Sequence, residues 1–143
     1  MARGERGAKK SFSVRWSPRT LAHLQARAEE ARIAPNVLAE RYVEEGLRMA
    51  EHPLIYFREG AAGRRPALMG TRLDVATVVS TIRQNDNSAE AAADYLRLQL
   101  PLIEACVRYY VDYQDEIDAW IARDEAEAEA AEISWRKRHE IFA

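Results

Sequence analysis

Polar and apolar residues alternate over Ser11-Phe12-Ser13-Val14-Arg15-Trp16. This period of two predicts a short strand with Phe12, Val14 and Trp16 on one face and Ser11, Ser13 and Arg15 on the other. The period then lengthens. Ser17-Pro18 supplies an N-cap and a proline at the first helical position, opening a helix to Ala31 that buries Leu21, Leu24 and Ala28. Pro35 opens a second helix to about Ala50, with Leu38, Tyr42, Val43 and Leu47 on one side.

From His52 to Gly70 the pattern breaks, with glycine at 60, 63 and 70 and two prolines, and Leu54 to Phe57 is a candidate strand. Helical periodicity then returns three times. Val75, Val78, Val79 and Ile82 give one face; Ser88 caps a helix carrying Ala92, Tyr95 and Leu96; Leu102, Ile103, Cys106, Val107, Tyr110 and Val111 form a broad stripe on a third. From Gln114 the chain is rich in Ala and Glu, with a sparse seam of Ile117, Trp120, Ile121, Ala128, Ala131 and Trp135 that predicts one long helix. The expected division is a flexible basic arm (1–10), a strand-helix-helix module (11–50), a linker (51–70), a trihelical domain (71–112) and a C-terminal helix (113–143). The expected fold class is mainly α.

Charge sharpens this division. The 143 residues carry a net charge of only −2, but residues 1–20 hold six Lys/Arg against Glu5, and residues 112–134 hold nine Asp/Glu against Arg123. A chain of this length lacks the core of a large enzyme. Cys106 is the only cysteine, which excludes an internal disulfide and a cysteine-based zinc site and fits a reducing cytoplasm. No apolar run reaches the roughly 18 residues of a membrane span, and the polar N-terminus does not read as a signal peptide. The expectation is a soluble cytoplasmic protein without a membrane partner.

A lone amphipathic strand followed by two short helices cannot satisfy its own edges. It calls for a second copy, so that two strands pair into a ribbon, Phe12, Val14 and Trp16 enter a homodimer core, and Ser11, Ser13 and Arg15 face outward together. A two-stranded ribbon fits the major groove of double-stranded DNA, where Arg can read guanine and Ser either class of base. The run Phe12-Ser13-Val14-Arg15-Trp16-Ser17-Pro18 with its two helices resembles the ribbon-helix-helix repressors of the Arc and antitoxin type, over about a third of the chain. The resemblance implies base reading by Ser11, Ser13 and Arg15, and phosphate binding at the start of the second helix, about Ala34 to Val37. The usual Ser, Thr or Gly cap is replaced there by Ala34-Pro35, leaving Asn36 as the nearest polar side chain. Lys9 and Lys10 would add sequence-independent phosphate contacts.

Residues 63–111 contain Gly63-Arg64-Arg65-Pro66, then Gly70-Thr71-Arg72, three helices, and Tyr109-Tyr110 before the acidic Asp115-Glu116-Ile117-Asp118. This resembles a small bacterial domain of unassigned activity with a homeodomain-like helix arrangement. Proteins carrying it are often encoded beside PIN-fold ribonuclease toxins, so the resemblance implies an antitoxin. Gly70-Thr71 predicts a tight turn into a helix beginning near Asp74, with Arg72 anchoring that turn or meeting a partner. The third helix has no basic face, so protein contact is favoured over DNA for this domain. At the chain end, Trp135, Arg136, Arg138 and Phe142 are candidates for toxin binding, the guanidinium groups meeting a ring of metal-binding carboxylates. The alternative reading is that these bases complement the helix macrodipole while Trp135 packs on the dimer.

His23, His52 and His139 are scattered, Cys106 lies on an apolar face, and no phosphate loop, nucleophile elbow or catalytic carboxylate pair is visible. No enzyme, cofactor or metal is expected. The leading expectation is an antitoxin that represses its own operon and blocks a PIN-type toxin. A stand-alone ribbon-helix-helix transcriptional regulator, and a dimeric interaction module without DNA binding, are the alternatives.

Overall fold

The computed structural model describes residues 7–143, so the first six residues of the expected basic arm lie outside it. Among the described residues there are six helices and two strands: α1 (Pro18–Ala31), α2 (Pro35–Glu51), β1 (Ile55–Gly60), β2 (Gly63–Leu68), α3 (Val75–Gln84), α4 (Ala89–Leu96), α5 (Leu100–Asp112) and α6 (Gln114–Ile141). The fold is mainly helical, with one small antiparallel sheet. Two compact units divide the chain, Met1–Val43 and Glu44–Ala143, so the boundary falls within α2 rather than after it.

In the first unit the local signals act as expected. The Ser17 side chain accepts a bond from the Thr20 N–H at 3.2 Å, and Pro18 takes the first turn of α1. The helix ends in the left-handed Arg32, and the Ile33 N–H reaches back to the Ala28 carbonyl at 3.1 Å, a wrap that satisfies a terminal acceptor. α2 starts at Pro35, with the Ala34 carbonyl receiving the N–H groups of Val37 and Leu38.

The second unit holds the main core. Ile55, Leu68, Val75, Val78, Ile103, Cys106, Tyr109 and Ile117 are fully buried in one cluster. Residues 51–70, read from sequence as a linker with one candidate strand, supply a hairpin to this core. β1 pairs antiparallel with β2 from Ile55↔Leu68 to Gly60↔Gly63, closed by the turn Ala61-Ala62. Gly63 re-enters at φ 117, a conformation that favours glycine. Pro66 is tolerated because a two-stranded sheet has only edge strands.

The turn expected at Gly70-Thr71 is present. Gly70 has φ 78, the Thr71 hydroxyl donates to the Leu68 carbonyl at 2.8 Å, and the Leu73 N–H donates to that hydroxyl oxygen at 3.0 Å. α3 follows from Val75. Ser88 caps α4 by accepting from the Ala91 N–H at 3.1 Å, and α4 ends in the left-handed Arg97. α6 gives Ile117 and Ile121 to the core and leaves residues 125–141 exposed.

Candidate nucleic-acid and dimerisation surface

Among the described residues of the first unit only Ala28 and Leu38 are buried. Two small contacts do not offset the conformational entropy of ordering some forty residues, at roughly 1–2 kcal/mol each for the backbone alone. The apolar residues that would serve lie bare instead. Phe12 is 89% exposed, and Val14, Trp16, Tyr42 and Val43 are each more than 40% exposed. Between α1 and the first part of α2 lies an open, mostly apolar groove of about 430 Å³, lined by Trp16, His23, Leu24, Ala39, Tyr42 and Val43.

The strand expected at 11–16 is not formed within the chain: residues 7–17 carry no regular secondary structure. The physical reason is the absence of a ladder partner, because no other described segment pairs with these residues. Ser11, Ser13 and Arg15 are exposed, as are Lys10 and, at the start of α2, Asn36. Lys9 is engaged by Glu40 at 3.0 Å, with both side chains more than half exposed. A contact of that kind is worth little and yields readily to a phosphate.

The candidate toxin-binding residues Trp135, Arg136, Arg138 and Phe142 are all exposed on or just after α6. Arg136 is paired with Glu132 one turn earlier at 2.5 Å, and Trp135 stacks on His139 with ring centroids 3.8 Å apart. Within its own chain Trp135 is 54% exposed.

In the second unit, side chains that sequence reasoning left unassigned form four ion-pair clusters. Arg48 donates to the Tyr109 hydroxyl at 2.9 Å and to Glu116 at 2.5 Å, pairs with Glu44, and lies over the Tyr113 ring at 4.1 Å. Asp74 is held by Arg58 and Arg65; Arg65 also forms a two-bond fork with Asp124, at 2.7 and 2.9 Å, and lies over the Trp120 ring. Arg64 pairs with the buried Glu45 and with Glu59. Arg83 bonds the Tyr110 hydroxyl and Asp118, and this guanidinium, with help from the hydroxyl, holds the Asp118 carboxyl below the usual range.

These clusters explain the Tyr-Tyr and acidic run. Arg48 and Arg83 each bond one of these tyrosine hydroxyls on α5 and one carboxylate on α6, Glu116 and Asp118, so the motif helps to staple α6 to the rest of the unit. Burial pushes the Tyr109 phenol well up and the Cys106 thiol up to about 12, which makes the latter an unreactive core residue. Arg72 is exposed and takes no part in the turn, which Thr71 anchors. Asp112 on α5 is taken by His52 at 2.9 Å.

Among the described residues no group of His, Cys, Asp or Glu is arranged to hold a metal, and no helix is long and apolar enough to cross a membrane. The first unit presents a bare apolar and basic face, and the second an exposed helix end that carries both large apolar and charged side chains. No curated protein and no solved structure matches the chain. Residues 55–110, from the first residue of β1 to Tyr110, match the model of a family described as "Protein of unknown function (DUF433)".

Proposed function

We propose that this protein is a homodimeric, DNA-binding antitoxin: a ribbon-helix-helix repressor of its own operon that also captures a PIN-type ribonuclease toxin. The observation that carries the reading is the bare alternation at 11–16. Phe12, Val14 and Trp16 are exposed although apolar, and Ser11, Ser13 and Arg15 stand between them. Pairing with a second copy would satisfy both the strand edges and the apolar face, and would leave one hydroxyl-and-guanidinium surface for the major groove. Basic residues concentrate beside it: Lys9, Lys10, Arg15 and Arg19 lie within eleven positions that contain no acid. Asn36, at the start of α2, would support a phosphate contact there.

The antitoxin part draws on the exposed chain end. Trp135 and Phe142 offer apolar anchors, and Arg136 and Arg138 offer charge to a carboxylate-lined groove. The test is binding to the DNA upstream of the protein's own gene, by fluorescence anisotropy at two salt concentrations. Wild type should bind specifically and lose affinity steeply with salt. Arg15→Ala should stay dimeric and lose discrimination by about 1–3 kcal/mol per guanine contact. Equal binding by wild type and Arg15→Ala would overturn the DNA assignment. Failure to co-purify with the product of the adjacent reading frame, after co-expression, would remove the toxin from the proposal and leave a repressor.

A further inference from the structure

The end of α6 poses a problem that the rest of the unit does not solve. From Glu125 onward every residue is exposed, so 17 helical residues run to Ile141 without a covering surface, a length of about 25 Å at the rise of an α-helix. Their apolar content is high for a solvated rod: Ile133, Trp135, Ile141 and the adjoining Phe142 are between 45% and 88% exposed. Their charge is segregated end from end. Glu125, Glu127, Glu129 and Glu132 occupy the first half, and Arg136, Lys137, Arg138 and His139, with the single acid Glu140, the second.

We propose that this segment pairs antiparallel with the same segment of a second copy, about a two-fold axis near Ile133 and Ser134. Charge order selects both the partner and the direction. In an antiparallel pair the acidic half of each helix runs along the mainly basic half of the other, twice over by symmetry. A parallel pair would set acid on acid and base on base, which is unfavourable. Small side chains favour close approach, because Ala128 and Ala131 lie on one stripe with Trp135, so the indole of each copy meets alanines of the other. The Trp135 ring, already stacked on His139, is held in place for that contact. Pairing buries the side chains that the functional proposal gives to a toxin, so self-pairing and toxin capture exclude each other. The inference itself stands on α6 alone and does not need a toxin to exist.

A single-cysteine cross-link tests it in the full-length chain. The native Cys106 is buried and unreactive, so Ser134→Cys and Ala126→Cys each introduce one accessible thiol. In the antiparallel pair the two 134 positions adjoin the axis, whereas the two 126 positions lie about 21 Å apart along it at 1.5 Å per residue. Under mild oxidation at low micromolar concentration, Ser134→Cys should give a disulfide-linked dimer at least tenfold faster than Ala126→Cys. Reversing Arg136 and Arg138 to Glu in the Ser134→Cys background should remove that advantage, and adding Glu127→Lys with Glu129→Lys should restore it. Equal linking at both positions would mean a parallel pair or random collision. No linking at either would mean that the face stays open to a different protein. Indifference to charge reversal would mean that charge order does not direct the pairing, and each of these three results overturns the proposal.

Discussion

Phe12→Ala separates two accounts of the N-terminal surface by orders of magnitude. In the single chain the Phe12 side chain is 89% exposed and contributes almost nothing to the fold of its own unit, where a surface substitution ordinarily changes stability by no more than about 0.5 kcal/mol. Covered by a second copy, a phenylalanine contributes roughly 1.5–3 kcal/mol through burial. A symmetric dimer contains the contact twice, so the loss is about 3–6 kcal/mol per dimer, on the order of a 10²- to 10⁴-fold weaker dissociation constant. Sedimentation equilibrium over nanomolar to micromolar concentrations reads this directly, and a melting temperature that rises with protein concentration in wild type gives an independent reading. Lys10→Ala, at an exposed polar position, should leave both unchanged. A Phe12→Ala dissociation constant within threefold of wild type would refute the burial of this residue in a dimer.

Three further outcomes concern the second unit. Tyr109→Phe removes one hydroxyl from the Arg48 cluster but leaves Arg48 with Glu116 and Glu44; urea unfolding should show a loss of about 1 kcal/mol, and no loss would remove this bond from the fold's support. Gly70→Ala forces an alanine into φ 78 although nothing obstructs its Cβ; the expected cost is about 1–2 kcal/mol from backbone strain alone, and an unchanged urea midpoint would contradict it. Asp118 has its carboxyl held down chiefly by the Arg83 guanidinium, so its stabilising contribution is present above about pH 4 and lost as pH falls through the depressed folded value. Asp118→Asn should therefore flatten the acid limb of the melting-temperature profile while leaving the slope above pH 6 alone, and an acid limb as steep as in wild type would refute the pairing.

The helices were legible because their signals are local. Ser17-Pro18, Ser88 and the apolar stripe from Leu102 to Val111 act within one or two turns, and each element appears where periodicity places it. The hairpin was not legible beyond Leu54–Phe57. β2 reads Gly-Arg-Arg-Pro-Ala-Leu, with charge and proline where alternation would show, and its arginines are acceptable only because Glu45, Asp74 and Asp124 meet them. Those partners lie up to 59 residues away, and no local pattern carries such information. The strand expected at 11–16 is absent from the single chain, which offers it no pairing partner among the described residues. The α6 seam was legible in periodicity alone: Ile117 and Ile121 find a core, while Ala131 and Trp135 share the same spacing and find solvent.

The first turns of α6 also bear on where this protein can be cut. The family match stops at Tyr110, but three arginines upstream of that point, Arg48, Arg65 and Arg83, have carboxylate partners at Glu116, Asp124 and Asp118. A fragment trimmed to the match would lack Arg48 altogether, deprive Arg65 and Arg83 of their carboxylates on α6, and uncover the side of the core that Ile117 and Ile121 close. The smallest piece able to fold alone therefore starts by Glu44 and runs at least to Asp124, well beyond the borders that sequence resemblance draws.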